Sequence, residues 1–146
     1  MSYQVVETGN KNDQDLITFN EWSLPATTTD VSPILAKIRF QTVKYSNNCL
    51  YVWIGDSNCK LENISCAMKT SYSEQPLNTN LLLSSDHSAQ ISSDLALKLA
   101  KKLNKQVFVS VNIAFSAIYD SESQDLFIKT IQTALFNEIK QNPDKF

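Results

Sequence analysis

Residues 98–113 read KLAKKLNKQVFVSVNI, and this stretch decides the fold. Its first half closes a helical pattern. Leu95, Leu99 and Leu103 recur every four residues with Ala96 and Ala100 beside them, which makes one apolar stripe. Its second half is a strand with apolar residues at both parities. Val107, Val109, Val111 and Ile113 fall on one side, and Phe108, Ser110 and Asn112 on the other. The run CLYVWIG at 49–55 behaves likewise, with Leu50, Val52 and Ile54 opposed by Tyr51 and Trp53. A sheet with one wet face does not carry aromatics on its second face. Two helices, each ~10 Å wide, cover about one face of a five- or six-stranded sheet at ~4.8 Å per strand. The expectation is therefore an α+β domain: an antiparallel sheet of about five to six strands, with two helices from the C-terminal half on one face. The other face packs against a partner in a dimer, and Tyr51, Trp53, Phe108 and Ser110 mark it.

The remaining chain supplies the other elements. Residues 1–15 are polar and expected to be mobile, leaving 16–146 as a single domain. LITFNEW at 16–22 alternates as a short strand. ATTTDVSP is a loop. LAKIRFQTVKY at 35–45 alternates well, SNN follows as a turn, and CLYVWIG completes a hairpin. LENISCAMKT at 61–70 extends the meander, and PLNTNLLL at 76–83 adds a strand opened by Pro76. Ser92 or Ser93 is the expected N-cap of the first helix, with Asp94 in its first turn and Asn104 as its left-handed terminator. Ser121 and Gln124 fit a capping box for the second helix. Phe127, Ile128, Ile131, Leu135 and Ile139 mark its buried side, and Asn142-Pro143 stops it. Strands joined by short turns favour antiparallel pairing, and helices gathered late favour α+β.

Composition excludes several functions. The 146 residues match one domain with a single core. A net charge of -2 gives no global pull toward nucleic acid or membrane. No run approaches the ~18 apolar residues of a span. The first residues, MSYQVVETGNKNDQ, lack the basic and apolar regions of a signal peptide, so a cytoplasmic or nuclear location is expected. The only glycines are Gly9 and Gly55, too few for a phosphate-cradling loop or a dinucleotide fingerprint. Cys49, Cys59 and Cys66 are odd in number and have no CxxC spacing, so free thiols are expected.

The search for catalytic chemistry yields little. His87 is the single histidine and has no metal-ligand spacing to other donors. Ser84, Ser85, Asp86, His87 and Ser88 hold the letters of a hydrolase triad, but contiguous letters lack the geometry. Glu62, Glu74 and Glu122 stand alone. Tyr51, Trp53 and Phe108 could stack bases, yet their strands lack the interleaved cations of an RNA-binding sheet. The expectation is no enzyme, cofactor or metal.

Lys98, Lys101, Lys102 and Lys105 are spaced i, i+3, i+4, i+7 and share one helix face opposite the leucines. Two readings stand: a solvated face favoured near a helix C-terminus, or a docking patch for an acidic partner.

The segments LYVWIG, ISCAMKTSY, NTNLLL, LALKLAKKLNKQVFVSVNI and NPDKF, in that order over residues 35–146, resemble the proteasome assembly chaperone 4 family. NKQVFVS is the most specific of them. The resemblance implies a heterodimer with proteasome assembly chaperone 3 that binds proteasome α-subunits around α5 and supports α-ring assembly. It implies an antiparallel sheet with helices on one face and dimer contact through the other, and makes the four lysines candidates for proteasome docking. Asp144-Lys145-Phe146 lacks the hydrophobic-Tyr-X tail of other proteasome binders, so docking through a surface is expected. The alternative is a small dimeric α+β adaptor or scaffold unrelated to the proteasome.

Overall fold

The computed structural model describes residues 17–24, 38–45, 48–82, 87–114 and 121–146. The N-terminal segment 1–15 and Ser84, Ser85 and Asp86 lie outside the described residues. Six strands and two helices follow in the order β1 (Ile17–Ser23), β2 (Arg39–Tyr45), β3 (Cys49–Gly55), β4 (Ile64–Thr70), β5 (Ser73–Leu82), α1 (Ser88–Leu103), β6 (Gln106–Asn112) and α2 (Ser121–Gln141). A single 3-10 turn, Pro143–Lys145, follows α2. No described helix is long and apolar enough to cross a membrane.

The strands form one sheet in the order β1-β2-β3-β6-β4-β5. The α+β class and the six strands agree with the sequence. One pairing departs from a wholly antiparallel sheet: β6 inserts between β3 and β4 and runs parallel to β3, from Cys49↔Gln106 to Gly55↔Asn112. The sheet is therefore mixed. The cause is α1, a crossover from the edge strand β5 that returns the chain to the sheet centre in the direction of β3.

The apolar parity of each central strand faces the helices. Phe40, Leu50, Val52, Ile54, Ala67, Val107, Val109 and Val111 are essentially inaccessible to water. They meet Leu95, Ala96, Leu99 and Ala100 of α1, and Phe127, Ile131, Leu135 and Ile139 of α2. Each fully buried Leu, Ile or Val contributes about 1.5–3 kcal/mol. α1 lies over β4, β5 and β6. Beyond α2, the 3-10 turn delivers Phe146 into the core, edge-on to Trp22 at 5.8 Å, and Trp22 stacks on Phe40 at 5.1 Å. The aromatic end of the chain is thus packed inside.

Helix α1 begins four residues before the expected cap. His87 occupies the N-cap position, and Ser92 and Ser93 are buried within the helix. The reason lies in β6. Strand β4 pairs with β6 only from Ser65 to Ala67, so the Val111 backbone lacks a strand partner on that side. Ser92 Oγ accepts the Val111 N–H at 2.9 Å, and Asn63 Nδ2 donates to the Val111 carbonyl at 2.6 Å. Ser92 Oγ also donates to Asn63 Oδ1 at 2.5 Å, which closes the set. A serine needed to satisfy buried backbone is not free to cap. The other end of α1 follows the sequence: Asn104 adopts φ 53°, ψ 41°, and its N–H bonds the Ala100 carbonyl at 3.0 Å.

Candidate protein-binding surfaces

The second parity of every strand lies opposite the helices. Cross-strand register aligns these residues into rows. Phe19, Val43, Tyr51, Phe108, Cys66 and Thr79 are successive neighbours across all six strands. Below them run Ile17, Tyr45, Cys49 and Gln106. Met68 faces Leu77 at the far side. Among the described residues neither helix covers this face. Its margins are open: Ile17 is 42% exposed, Tyr45 45%, Met68 40% and Leu77 58%. A row of apolar side chains across an uncovered sheet is costly in water and suits a partner sheet.

The four residues assigned to this face lie together, Tyr51 beside Phe108 and Trp53 beside Ser110. Their surroundings differ. Tyr51 and Phe108 are half-buried within the open row. Burial pushes the Tyr51 phenol above its ordinary range, a hydrogen bond with Ser110 opposes that, and Tyr45 adds to the rise. Trp53 and Ser110 are buried inside the single chain. The Trp53 ring lies over Gly55, where any side chain would collide with it, and its Nε1–H donates to the Lys60 carbonyl at 2.9 Å. Ser110 Oγ donates to the Asn63 carbonyl at 2.6 Å and accepts from Asn112 Nδ2 at 2.6 Å. The segment after β3 therefore roofs one end of the face. Phe19, Val43, Tyr45 and Met68 were not singled out from sequence. The alternation of residues 39–45 was visible, but their place in the row depends on register.

The helix lysines also divide. Lys98 Nζ donates to Gln132 Oε1 at 3.0 Å, and the Lys102 ammonium sits 5.1 Å from the centre of the Phe136 ring. Lys105 is half-buried and donates to the Phe146 carbonyl oxygen at 2.6 Å. Burial holds its pKa below the usual lysine range, with Lys44 nearby adding to the effect. Lys44 itself donates to the Asp144 carbonyl at 2.8 Å, so these two cations tie down the chain end. Lys101 alone of the four makes no such contact among the described residues. Of the other candidate groups, His87 caps α1 through its carbonyl, which accepts from Gln90 and Ile91. Ser88 is buried, its hydroxyl directed at the Ile113 carbonyl. The described residues contain no cluster of three or more His, Cys, Asp or Glu fit for a metal.

A six-stranded sheet with both helices on one face and an apolar row on the other defines a two-layer α+β fold. It superposes on a chain of a crystal structure described as a novel chaperone complex for yeast 20S proteasome assembly, with TM-score 0.63, 86% of this chain and 96% of that chain covered, and 9% identity. Sequence gives the finer assignment. Residues 37–113 match the family described as proteasome assembly chaperone 4. Human proteasome assembly chaperone 4 is 31% identical over 109 residues, covering 75% of this chain and 80% of that protein. The mouse protein of the same name is 30% identical over the same share. The chain belongs to the proteasome assembly chaperone 4 family.

Proposed function

We propose that this chain is a non-catalytic proteasome assembly chaperone. It pairs with proteasome assembly chaperone 3 through the open sheet face. The heterodimer then holds proteasome α-subunits, around α5, while the α-ring forms in the cytoplasm or nucleus. The observation that carries the reading is the half-buried apolar row Phe19–Val43–Tyr51–Phe108, which neither helix covers, in a member of this family. The face spans five strand spacings, about 24 Å, by about 23 Å of strand, or about 550 Å² per partner, toward the low end of specific interfaces where transient encounters sit. The mechanism is binding energy alone. The tightness of the pair is set by the quality of the contacts and not by area, so such an interface can be specific and still release a factor that must leave. The lysines of α1 are the candidate contact with the α-subunit, since the partner occupies the other side.

The test is co-expression with proteasome assembly chaperone 3, followed by light scattering and α-subunit capture. A Tyr51→Asp/Phe108→Asp double variant should stay folded by circular dichroism but lose the heterodimer. Retention of the pair at wild-type affinity would exclude this face. A stable wild-type pair that captures no α-subunit would exclude the function.

A further inference from the structure

Helices α1 and α2 lie side by side and run in the same direction. Two contacts one turn apart fix their register: Lys98 to Gln132 and Lys102 to Phe136. This register gathers lysines from both helices onto a single outer surface. Lys98, Lys101 and Lys102 come from α1. On α2, an open groove of about 320 Å³ is lined by Lys129, Gln132, Thr133, Phe136, Asn137 and Lys140. No spacing rule within either helix reveals the combination, because the lysines are joined only by packing.

Three features distinguish this surface from an ordinary solvated face. Glu138, the acid next to the groove residue Asn137, is occupied elsewhere: its carboxylate accepts from Asn142 Nδ2 at 2.9 Å and Lys145 Nζ at 3.3 Å. Lys101, Lys129 and Lys140 are exposed and form no ion pair among the described residues. Phe136 lies half-buried in the groove, so the site offers an aromatic seat within a cationic rim. The whole chain has a net charge of -2, and exposed Asp94, Glu122 and Asp125 lie on the same two helices, so the cationic rim is local and does not favour a long polyanion.

We infer that the α1–α2 surface docks an acidic protein segment bearing an apolar or aromatic side chain. The carboxylates pair with Lys101, Lys129 and Lys140, and the apolar group seats against Phe136. Lys105 takes no part, because its ammonium is held by the Phe146 carbonyl. The inference rests on the proposed function in assigning the segment to an α-subunit.

The experiment uses the full chain in complex with proteasome assembly chaperone 3. Lys101→Glu/Lys129→Glu is compared with Lys69→Glu/Ser71→Glu, which makes a comparable charge change at exposed sites that do not line the groove. Lys101→Gln/Lys129→Gln removes charge more gently, should the reversal disturb folding. The probes are a synthetic Glu-rich peptide with a central Phe, read by anisotropy and amide chemical shifts, and purified α-subunit. Expected shifts fall on α1 and α2. The groove reversal should weaken both ligands about tenfold or more while the control does not, and binding should fall steeply with salt. Wild-type affinity in both groove variants, or shifts centred elsewhere, would overturn the inference and leave the proposed function standing. Peptide binding in the groove without α-subunit capture by the wild-type pair would do the reverse. Duplex DNA or phosphatidylserine vesicles that displace the peptide at lower concentration than free peptide would also overturn it.

Discussion

Gly55→Ala tests the packing that closes one end of the open sheet face. A methyl group at this position falls 3.0 Å from Trp53 Cε2 and nearer still to Cζ2 and Cη2. Gly55 has an ordinary negative-φ backbone, so the difficulty is space alone. Either the indole leaves or the strand bends. If the ring leaves, the 2.9 Å bond to the Lys60 carbonyl breaks, a net loss of about 1 kcal/mol. About 100 Å² of ring, roughly half of what a large aromatic buries, also returns to water. At ~25 cal/mol per Å² that loss is about 2.5 kcal/mol. If the strand bends instead, overpacking costs about 1–3 kcal/mol. The two routes together bracket a destabilisation of about 1–3.5 kcal/mol. Urea unfolding followed by circular dichroism should show a lower midpoint with an unchanged slope. Native tryptophan emission should shift to the red as Trp53 meets solvent while Trp22 stays stacked on Phe40. A loss below about 0.5 kcal/mol with unchanged emission would refute the reasoning.

Three further outcomes are expected. Ser92→Ala removes the acceptor of the buried Val111 N–H and should cost about 1–3 kcal/mol, with amide exchange at Val111 accelerating ahead of its strand neighbours; uniform exchange would contradict it. Phe146→Ala empties a core position beside Trp22 and should cost about 3 kcal/mol in urea unfolding, again with a red shift in emission. Thiol alkylation followed by mass spectrometry should modify exposed Cys59 first. Cys49 should follow slowly, because burial and nearby Cys66 raise its pKa and leave less thiolate at neutral pH, so its rate should climb as pH rises. Heterodimer formation should slow Cys49 further, since it shares the face of Tyr51, and equal rates with and without the partner would count against that interface.

What could be read from sequence follows from the range of each interaction. The parities of residues 39–45, 49–55 and 106–112 were visible because alternation is local, and they held strand by strand. The αL stop at Asn104 and the end of α2 before Asn142-Pro143 were equally local. Neighbours in the sheet were not. Nothing in QVFVSVNI states that it lies between β3 and β4 or parallel to one of them, because any apolar strand of that length would read alike. Ser92 resembled a cap, because capping preference ignores a Val111 backbone nineteen positions away. Trp53 was assigned to a partner surface by parity alone, which cannot register the Lys60 carbonyl above it. The lysine spacing was correct as spacing, but the division into tethered Lys105 and exposed Lys101 required α2 and the chain end.

The position of β6 has a consequence for how the chain is made. β1, β2 and β3 can zip together by antiparallel pairing, and β4 and β5 form their own hairpin. Both groups are complete once Leu82 has been synthesised, yet they share no pairing with each other. Only β6, emerging after α1, bonds to both. Until then the nascent polypeptide carries two half-sheets with bare inner edges, the kind of edge that recruits other chains. Such late, long-range closure also slows folding. A product terminated before Gln106 would keep its hairpins but lack the seam between them. The interval between the leucines of β5 and the valines of β6 is when an assembly factor is itself most exposed to misassembly.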